Sequence, residues 1–187
     1  MEIVLYIDTC TKYMCVGLSK GDKLVYKKQY SAFKRQSEVA ALEIDNCLKE
    51  SNVKPNELTK IVVTNGPGSY TGIRIGLTLA KVMSKVLNIK LVCLSSLQVM
   101  CGMADCSAII DAKSKRVYYG KYSDGNEVEK DCVKYINELN LNEVYVGETN
   151  VIGKEEYEVD IVENMFMLRN SKAVDDIDSV KAIYLKD

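Results

Sequence analysis

The sequence predicts an α/β protein in which a mixed sheet is covered by helices and followed by a second, reduced α/β unit. Three observations carry that prediction. Short β-favouring runs crowd the first thirty residues and are separated by turn residues instead of helix-length insertions. Two long stretches of helical spacing then alternate with apolar runs. Beyond about residue 103 the elements become shorter and more polar. With 187 residues and 47% hydrophobic content, the chain can build one medium core or two small ones.

In order, Ile3-Val4-Leu5-Tyr6-Ile7 reads as the first strand, ending at Asp8-Thr9-Cys10-Thr11. Met14 to Leu18 forms a second, Lys20-Gly21-Asp22 a turn, and Lys23 to Tyr30 a third, which makes an antiparallel meander. Helical spacing runs from near Ser37 to Glu50, the Pro55 region closes that unit, and Lys60 to Thr64 is a strand. A second helix is expected after the turn Asn65-Gly66-Pro67-Gly68-Ser69-Tyr70-Thr71-Gly72, capped by Ser69 or Thr71 and continuing to Leu87. Ile89 to Leu94 is then a strand, and Ser95-Ser96 caps a short helix to Cys101. In the second half, Ser107 to Asp111 and Val117 to Tyr122 are expected as strands. Asp131 to Leu139 is expected as a helix, and Glu143 to Val146 and Tyr157 to Val162 as further strands. The division falls between a first domain, 1–102, and a shortened second domain, 103–187, whose last segment is expected to pack back on the first.

Composition excludes whole classes of chemistry. The chain has no histidine and no tryptophan, so a histidine metal ligand, a histidine general base and a serine-histidine-aspartate triad are all out of reach. Seven cysteines, an odd number, with no basic stretch followed by an apolar one at the start, point to a reduced, cytoplasmic protein. Cys101 and Cys106 are the closest candidate ligand pair, but without a second pair they make a poor zinc site. No apolar run is long enough to span a membrane. The net charge of -1 hides a split: residues 1–100 carry 14 basic against 8 acidic side chains, and the remainder 11 against 18. Such a field can steer an anionic partner, or it is an ordinary uneven surface.

Both long helices carry more apolar surface than one packed face requires. In the first, Ala40, Ala41, Ile44, Cys47 and Leu48 form a stripe that Val39 and Leu42 extend. In the second, only Arg74, Thr78, Lys81 and Lys85 leave a polar side. A partner helix pair would explain the excess, and so would burial by the second half of the same chain. The glycine-rich turn is the densest motif. It lacks the Lys-Ser/Thr pair of a P-loop and the spacing of a dinucleotide site, so a rigid structural turn and a ligand contact both stay open. Asp8 with Thr9, and Asp111 at the end of a later strand, could face one another across a cleft as a nucleotide or vestigial site, or simply cap their strand turns.

Together, Leu5-Tyr6-Ile7-Asp8-Thr9, Gln36-Ser37-Glu38, the block Asn65 to Gly76, Ser95-Ser96-Leu97, Asp111-Ala112 with Arg116-Val117-Tyr118, and Ile183-Tyr184-Leu185 resemble the bacterial TsaB (YeaZ) family. The resemblance covers most of residues 1–122, is most specific in the glycine block, and is weak from 123 apart from the closing segment.

It implies an actin-like, RNase H-like fold of the ATPase superfamily, with two mixed-sheet domains, in a degenerate paralogue of the catalytic subunit TsaD. The implied function is that of a non-catalytic partner in threonylcarbamoyl transfer to the adenosine beside the anticodon of ANN-reading tRNAs. ATP or ADP and the metal are expected on TsaD, with none bound autonomously here. A TsaE-like ATPase and tRNA belong to the larger assembly, and a homodimer is expected when the chain is alone. Carried over, the interface residues are Val39, Leu42, Arg74, Ile75, Leu79 and Met83. Gly66, Pro67, Gly68, Thr71, Gly72 and Gly76 shape the turn and the helix approach. Gln36 stands where the family commonly has histidine, and the second half is shorter than in typical members. The competing readings are an autonomous nucleotide hydrolase using Asp8, a peptidase-like enzyme, and a homodimeric scaffold.

Overall fold

The computed structural model describes residues 1–32 and 35–185. Its first sheet has five strands. β1 (Ile3–Asp8), β2 (Tyr13–Lys20) and β3 (Lys23–Ser31) form the meander, and β4 (Lys60–Thr64) and β5 (Lys90–Leu94) join it in parallel, giving the order β3-β2-β1-β4-β5. β1 lies at the centre, antiparallel to β2 with Tyr6 opposite Gly17, and parallel to β4 with Tyr6 opposite Val62. Every residue of β1 and β4 is buried, as a strand covered on both faces must be.

The period-two alternation of β1 sorts its side chains between two cores. Ile3, Leu5 and Ile7 face α1 (Gln36–Glu50) and α2 (Tyr70–Leu87), where they meet Ala40, Ile44, Cys47, Leu77 and Ala80. Val4 and Tyr6 face the opposite way, toward α3 (Ser96–Cys101) and α4 (Ile161–Met167). That second core also takes in Cys106, Ala108 and Ile110 of β6 (Cys106–Lys113), so it is built from both halves of the chain. β7 (Arg116–Ser123), β8 (Asn126–Tyr135) and β9 (Tyr145–Gly147) complete a second sheet in the order β8-β7-β6-β9. Its outer face carries a smaller cluster of Ile109, Val117, Tyr119, Leu139 and Tyr145.

Two expected elements are corrected. Asp131 to Leu139 is not a helix: its first part belongs to β8, pairing Cys132 with Tyr119 and Lys134 with Val117, and a 3-10 turn at Ile136–Glu138 follows. Cys132, Ile136 and Leu139 fall at helical spacing and do reach one cluster, but by a strand followed by a turn. Ladder pairing to β7 and the carboxylate of Asp131, which accepts from Tyr122 Oη at 2.6 Å and Ser95 Oγ at 2.5 Å, hold the backbone extended.

Tyr157 to Val162 is not a strand. Gln29 on β3 clamps this segment with its side chain, donating to the Val159 carbonyl at 2.8 Å and accepting from the Ile161 N–H at 2.9 Å. α4 then starts at Ile161, with Asp160 capping the Glu163 N–H at 3.1 Å. The strand expected at Glu143 to Val146 is present as the shorter β9. No helix among the described residues is long and apolar enough to cross a membrane.

Candidate functional site

α1 and α2 lie side by side on one face of the first sheet, and their outward surface places exposed apolar residues among polar ones such as Glu38, Asp45, Arg74 and Thr78. α2 buries Ile73, Leu77 and Ala80 on the sheet and leaves Val82 and Val86 exposed. α1 buries Ala40, Ile44, Cys47 and Leu48 and leaves Leu42 exposed at 57%. Val39, Ile75, Leu79 and Met83 are half-buried and border the same surface. Ala41, read from the sequence as part of the packed stripe, is exposed; with Ala40, Ile75 and Leu79 it lines a groove of about 440 Å³ between the two helices. Arg74, another predicted interface residue, lines this groove as well. The inward face of α1 also buries Glu43, which sequence periodicity did not single out. Its carboxylate accepts from Lys28 at 2.7 Å and from Tyr30 at 2.9 Å, and the outward apolar residues have no such polar requirement.

The glycine-rich turn fixes how α2 meets β1. The Ser69 hydroxyl caps the Gly72 N–H at 3.2 Å, and the Ser69 N–H donates to the Cys10 carbonyl at 2.7 Å. Thr9 donates from Oγ1 to the Gly72 carbonyl at 2.6 Å. A Cβ at Gly72 would stand 1.9 Å from the Thr9 carbonyl oxygen, and one at Gly76 would stand 2.5 Å from Thr9 Oγ1, so the helix reaches the strand end only because both residues are glycine. Gly66 and Gly68 both have positive φ, and the peptide between Gly66 and Pro67 is cis. The Pro67 carbonyl accepts from the Ser96 hydroxyl, and the Gly66 carbonyl from the Ser96 N–H at 2.9 Å. Thr71 is exposed at the border between the groove and a larger cleft.

That cleft, about 960 Å³, lies between the two sheets and is lined in part by Cys10, Lys12, Gln36, Gly68, Asp111 and Glu148. Gln36 donates from Nε2 to the Thr11 carbonyl at 3.0 Å, tying the start of α1 to the loop after β1. The two acids expected to face one another do not share this space. Asp8 is 1% exposed beneath the floor: its Oδ1 accepts from the Thr64 hydroxyl and from the Cys10 N–H at 3.2 Å, and its Oδ2 is sealed with no hydrogen-bond partner among the described residues. Burial pushes this carboxyl above the ordinary carboxylate range, against the opposing effect of the Thr64 and Cys10 hydrogen bonds. Asp111 does line the cleft, where its carboxylate holds the Lys113 ammonium and accepts from the Lys113 N–H at 2.7 Å. The Asp111 N–H donates to Glu148 at 2.8 Å, and burial raises the Glu148 carboxyl.

Among the described residues no three histidine, cysteine, aspartate or glutamate side chains gather into a group able to hold a metal. The donors that do meet near Asp8 are a buried, proton-favouring acid and thiols whose ionisation burial opposes at Cys10 and Cys15. Such a set does not fit a divalent cation.

Residues 30–146 match the family model described as TsaD, tRNA N6-adenosine threonylcarbamoyltransferase. The tRNA threonylcarbamoyladenosine biosynthesis protein TsaB of Bacillus subtilis is 33% identical over 135 residues, which is 70% of this chain and 59% of the relative. A Mycoplasma pneumoniae protein described as an MG208 homologue is 26% identical over 195 residues, covering 98% of this chain and 94% of its own. Among solved structures, YeaZ from Pseudomonas aeruginosa superposes with a TM-score of 0.82 at 17% identity, covering 99% of this chain and all of that one. A second Pseudomonas aeruginosa structure, of a protein described as similar to peptidase YeaZ, gives 0.84 at 17% identity over the full length of both chains. These two structures establish a common fold. The chain spans about six tenths of the Bacillus relative's length.

Proposed function

The chain belongs to the TsaD-related family, in its TsaB (YeaZ) branch, and from that premise we propose that it is a non-catalytic subunit in tRNA threonylcarbamoyladenosine biosynthesis. Its role on this reading is to dock a TsaD-like transferase through α1 and α2. The observation that carries the reading is the exposure of Leu42, Val82 and Val86 on two neighbouring helices, together with the groove that Ala40, Ala41, Ile75 and Leu79 line between them, on a structure whose cores do not include those three residues. An obligate interface has this character: apolar side chains that a lone domain has no reason to leave in water.

The inventory of the cleft supports the same division of labour. Asp8 is engaged by Thr64 and Cys10 under the floor, and Asp111 is engaged by Lys113. Nucleotide and metal are therefore assigned to the partner, together with the transfer to the adenosine next to the anticodon. A TsaE-like ATPase and the tRNA are assigned to the larger assembly. The strand order β3-β2-β1-β4-β5, with a meander followed by parallel strands, supports placing the fold in the RNase H-like, actin-like superfamily.

Co-expression with the TsaD homologue of the same organism, followed by sizing of the complex, tests the reading. The unmodified chain is expected to form a stable heterodimer. Leu42→Asp, at a position exposed in the isolated chain, is expected to leave folding intact and to cost about 2 kcal/mol or more of binding. Failure of the unmodified chain to associate overturns the proposal.

A further inference from the structure

Residues 174–184 run along one flank of α2 and reach its first residue, Tyr70, beside the groove. The Val174 N–H donates to the Leu91 carbonyl at 2.8 Å, and Val174, Ile177, Val180 and Ala182 pack against the core beneath α1 and α2. Lys81 on α2 donates to the carbonyls of Asp178 and Val180 at 3.2 and 2.9 Å, and Lys85 pairs with the Asp178 carboxylate. The Ile183 N–H then bonds the Asn65 carbonyl at 2.7 Å, directly before the glycine turn.

A Cβ at Gly66 would stand 2.6 Å from the Ile183 carbonyl oxygen, so the turn and the tail are fitted to one another. What this fitting delivers is Tyr184. Its ring stacks on Tyr70, the first residue of α2, with centroids 5.1 Å apart and planes inclined by 30°. Arg74 covers the Tyr70 ring at 5.2 Å and donates to its hydroxyl at 2.9 Å. Tyr70 and Tyr184 are 60% and 48% exposed, and Tyr70 lines both the helix groove and the cleft.

We infer that Tyr184 is a positioning residue for partner docking: the tail presses it against Tyr70 and thereby fixes Tyr70 and Arg74 as a rigid edge of the α1–α2 surface. The inference rests on the docking role proposed above. An exposed tyrosine at the start of a helix and an arginine one turn on would otherwise sample several rotamers, and a partner would have to immobilise them on binding. Held by the Tyr184 ring and by Arg74, Tyr70 gives up that freedom before the partner arrives, and rigid aromatic and arginine side chains are the types that anchor interfaces.

Binding of the TsaD homologue to the purified full chain, titrated for Tyr184→Ala, Tyr184→Phe, Tyr70→Ala and the double Tyr70→Ala/Tyr184→Ala variant, tests the inference, with melting followed in parallel. Tyr184→Ala is expected to bind about tenfold more weakly at an unchanged fold, and Tyr184→Phe, which keeps the ring, to bind within about twofold of the unmodified chain. In the Tyr70→Ala background, loss of Tyr184 is expected to cost less than about twofold further, because its role acts through Tyr70.

Unchanged binding by Tyr184→Ala, or costs at the two tyrosines that simply add, overturns the inference while the docking role stands. If Tyr184→Ala lowers the melting temperature, Asp178→Lys, which repels the tail from Lys85 with Tyr184 intact, is expected to weaken binding as well, and normal binding by it overturns the inference. Failure of the unmodified chain to bind removes the docking role and the inference together.

Discussion

At Gly72 the missing side chain is what lets α2 touch the end of β1: an added Cβ would lie 1.9 Å from a backbone oxygen of Thr9, which has no rotamer with which to move away. Gly72→Ala is therefore expected to destabilise the chain by on the order of 3 kcal/mol in urea unfolding, as for other overpacked sites at rigid neighbours. Asp8, one residue before Thr9, gives a test by pH. Burial places its folded-state pKa above the unfolded value, so the fold prefers the protonated acid. The stability it contributes is fully present below the ordinary carboxylate value of 3.8 and is lost as pH rises through the raised one. Asp8→Asn keeps the accepting oxygen for Thr64 and Cys10 and carries no charge at any pH. It is expected to be more stable than the parent at neutral pH, with the difference shrinking on acidification. Urea midpoints measured at several pH values check this, and a difference that grows toward low pH contradicts the buried-acid account.

At the scale of elements, Gln29 holds the extended segment before α4 to the edge of β3 by two hydrogen bonds, where a ladder would have used backbone alone. Gln29→Ala removes both and leaves the Ile161 N–H and the Val159 carbonyl without this partner. An unfolding cost of about 1 to 3 kcal/mol is expected, with exchange of the Ile161 amide hydrogen accelerated before that of β1. The same clamp explains why the alternation in this region does not make a strand. Tyr157, Val159 and Ile161 alternate as a strand does, but the alternation belongs to a segment pinned by one side chain, and the cap at Asp160 then starts a helix. In 131–139 the apolar spacing is helical while pairing to β7 decides the backbone. In both segments the backbone is decided by long-range partners that a local pattern does not contain. In the first half the local signals agree with the fold. Turn residues separate the meander strands, Ser69 and Ser95 cap the helices they precede, and Asn88 ends α2 in the left-handed conformation. Of the candidate site, the apolar excess of α1 and α2 was legible as composition. The engagement of Asp8, the exposure of Ala41 and the Tyr184–Tyr70 stack were not, because each depends on residues distant in sequence.

On the scale of the whole molecule, the sheet of the first half has two faces, and only one of them is covered by its own helices α1 and α2. The other, with Val4, Tyr6, Val62 and Val92, is buried partly by α3 and partly by α4 and β6, which lie beyond residue 102. Tyr6 shows the dependence in one residue: it is fully buried, its ring meets Phe166 of α4 edge-on at 6.3 Å, and its hydroxyl pairs with Ser19 at 2.8 Å. Asp131 of β8 adds a polar tie to Ser95, which caps α3. The core on that face therefore draws on residues from both sides of 102. A fragment of residues 1–102 would expose that face, and the apolar area involved is far more than a marginally stable domain can leave in water. The fragment is expected to bind a hydrophobic dye and to unfold without a cooperative transition, whereas the full chain unfolds in one step by far-UV and near-UV circular dichroism alike. A fragment that melts cooperatively without binding the dye would mean that the first half folds alone. The partner surface on α1 and α2 would then owe nothing to the second half beyond the tail along its flank. If the fragment behaves as expected, the part beyond residue 102 completes the core on the far face of the sheet that carries α1 and α2.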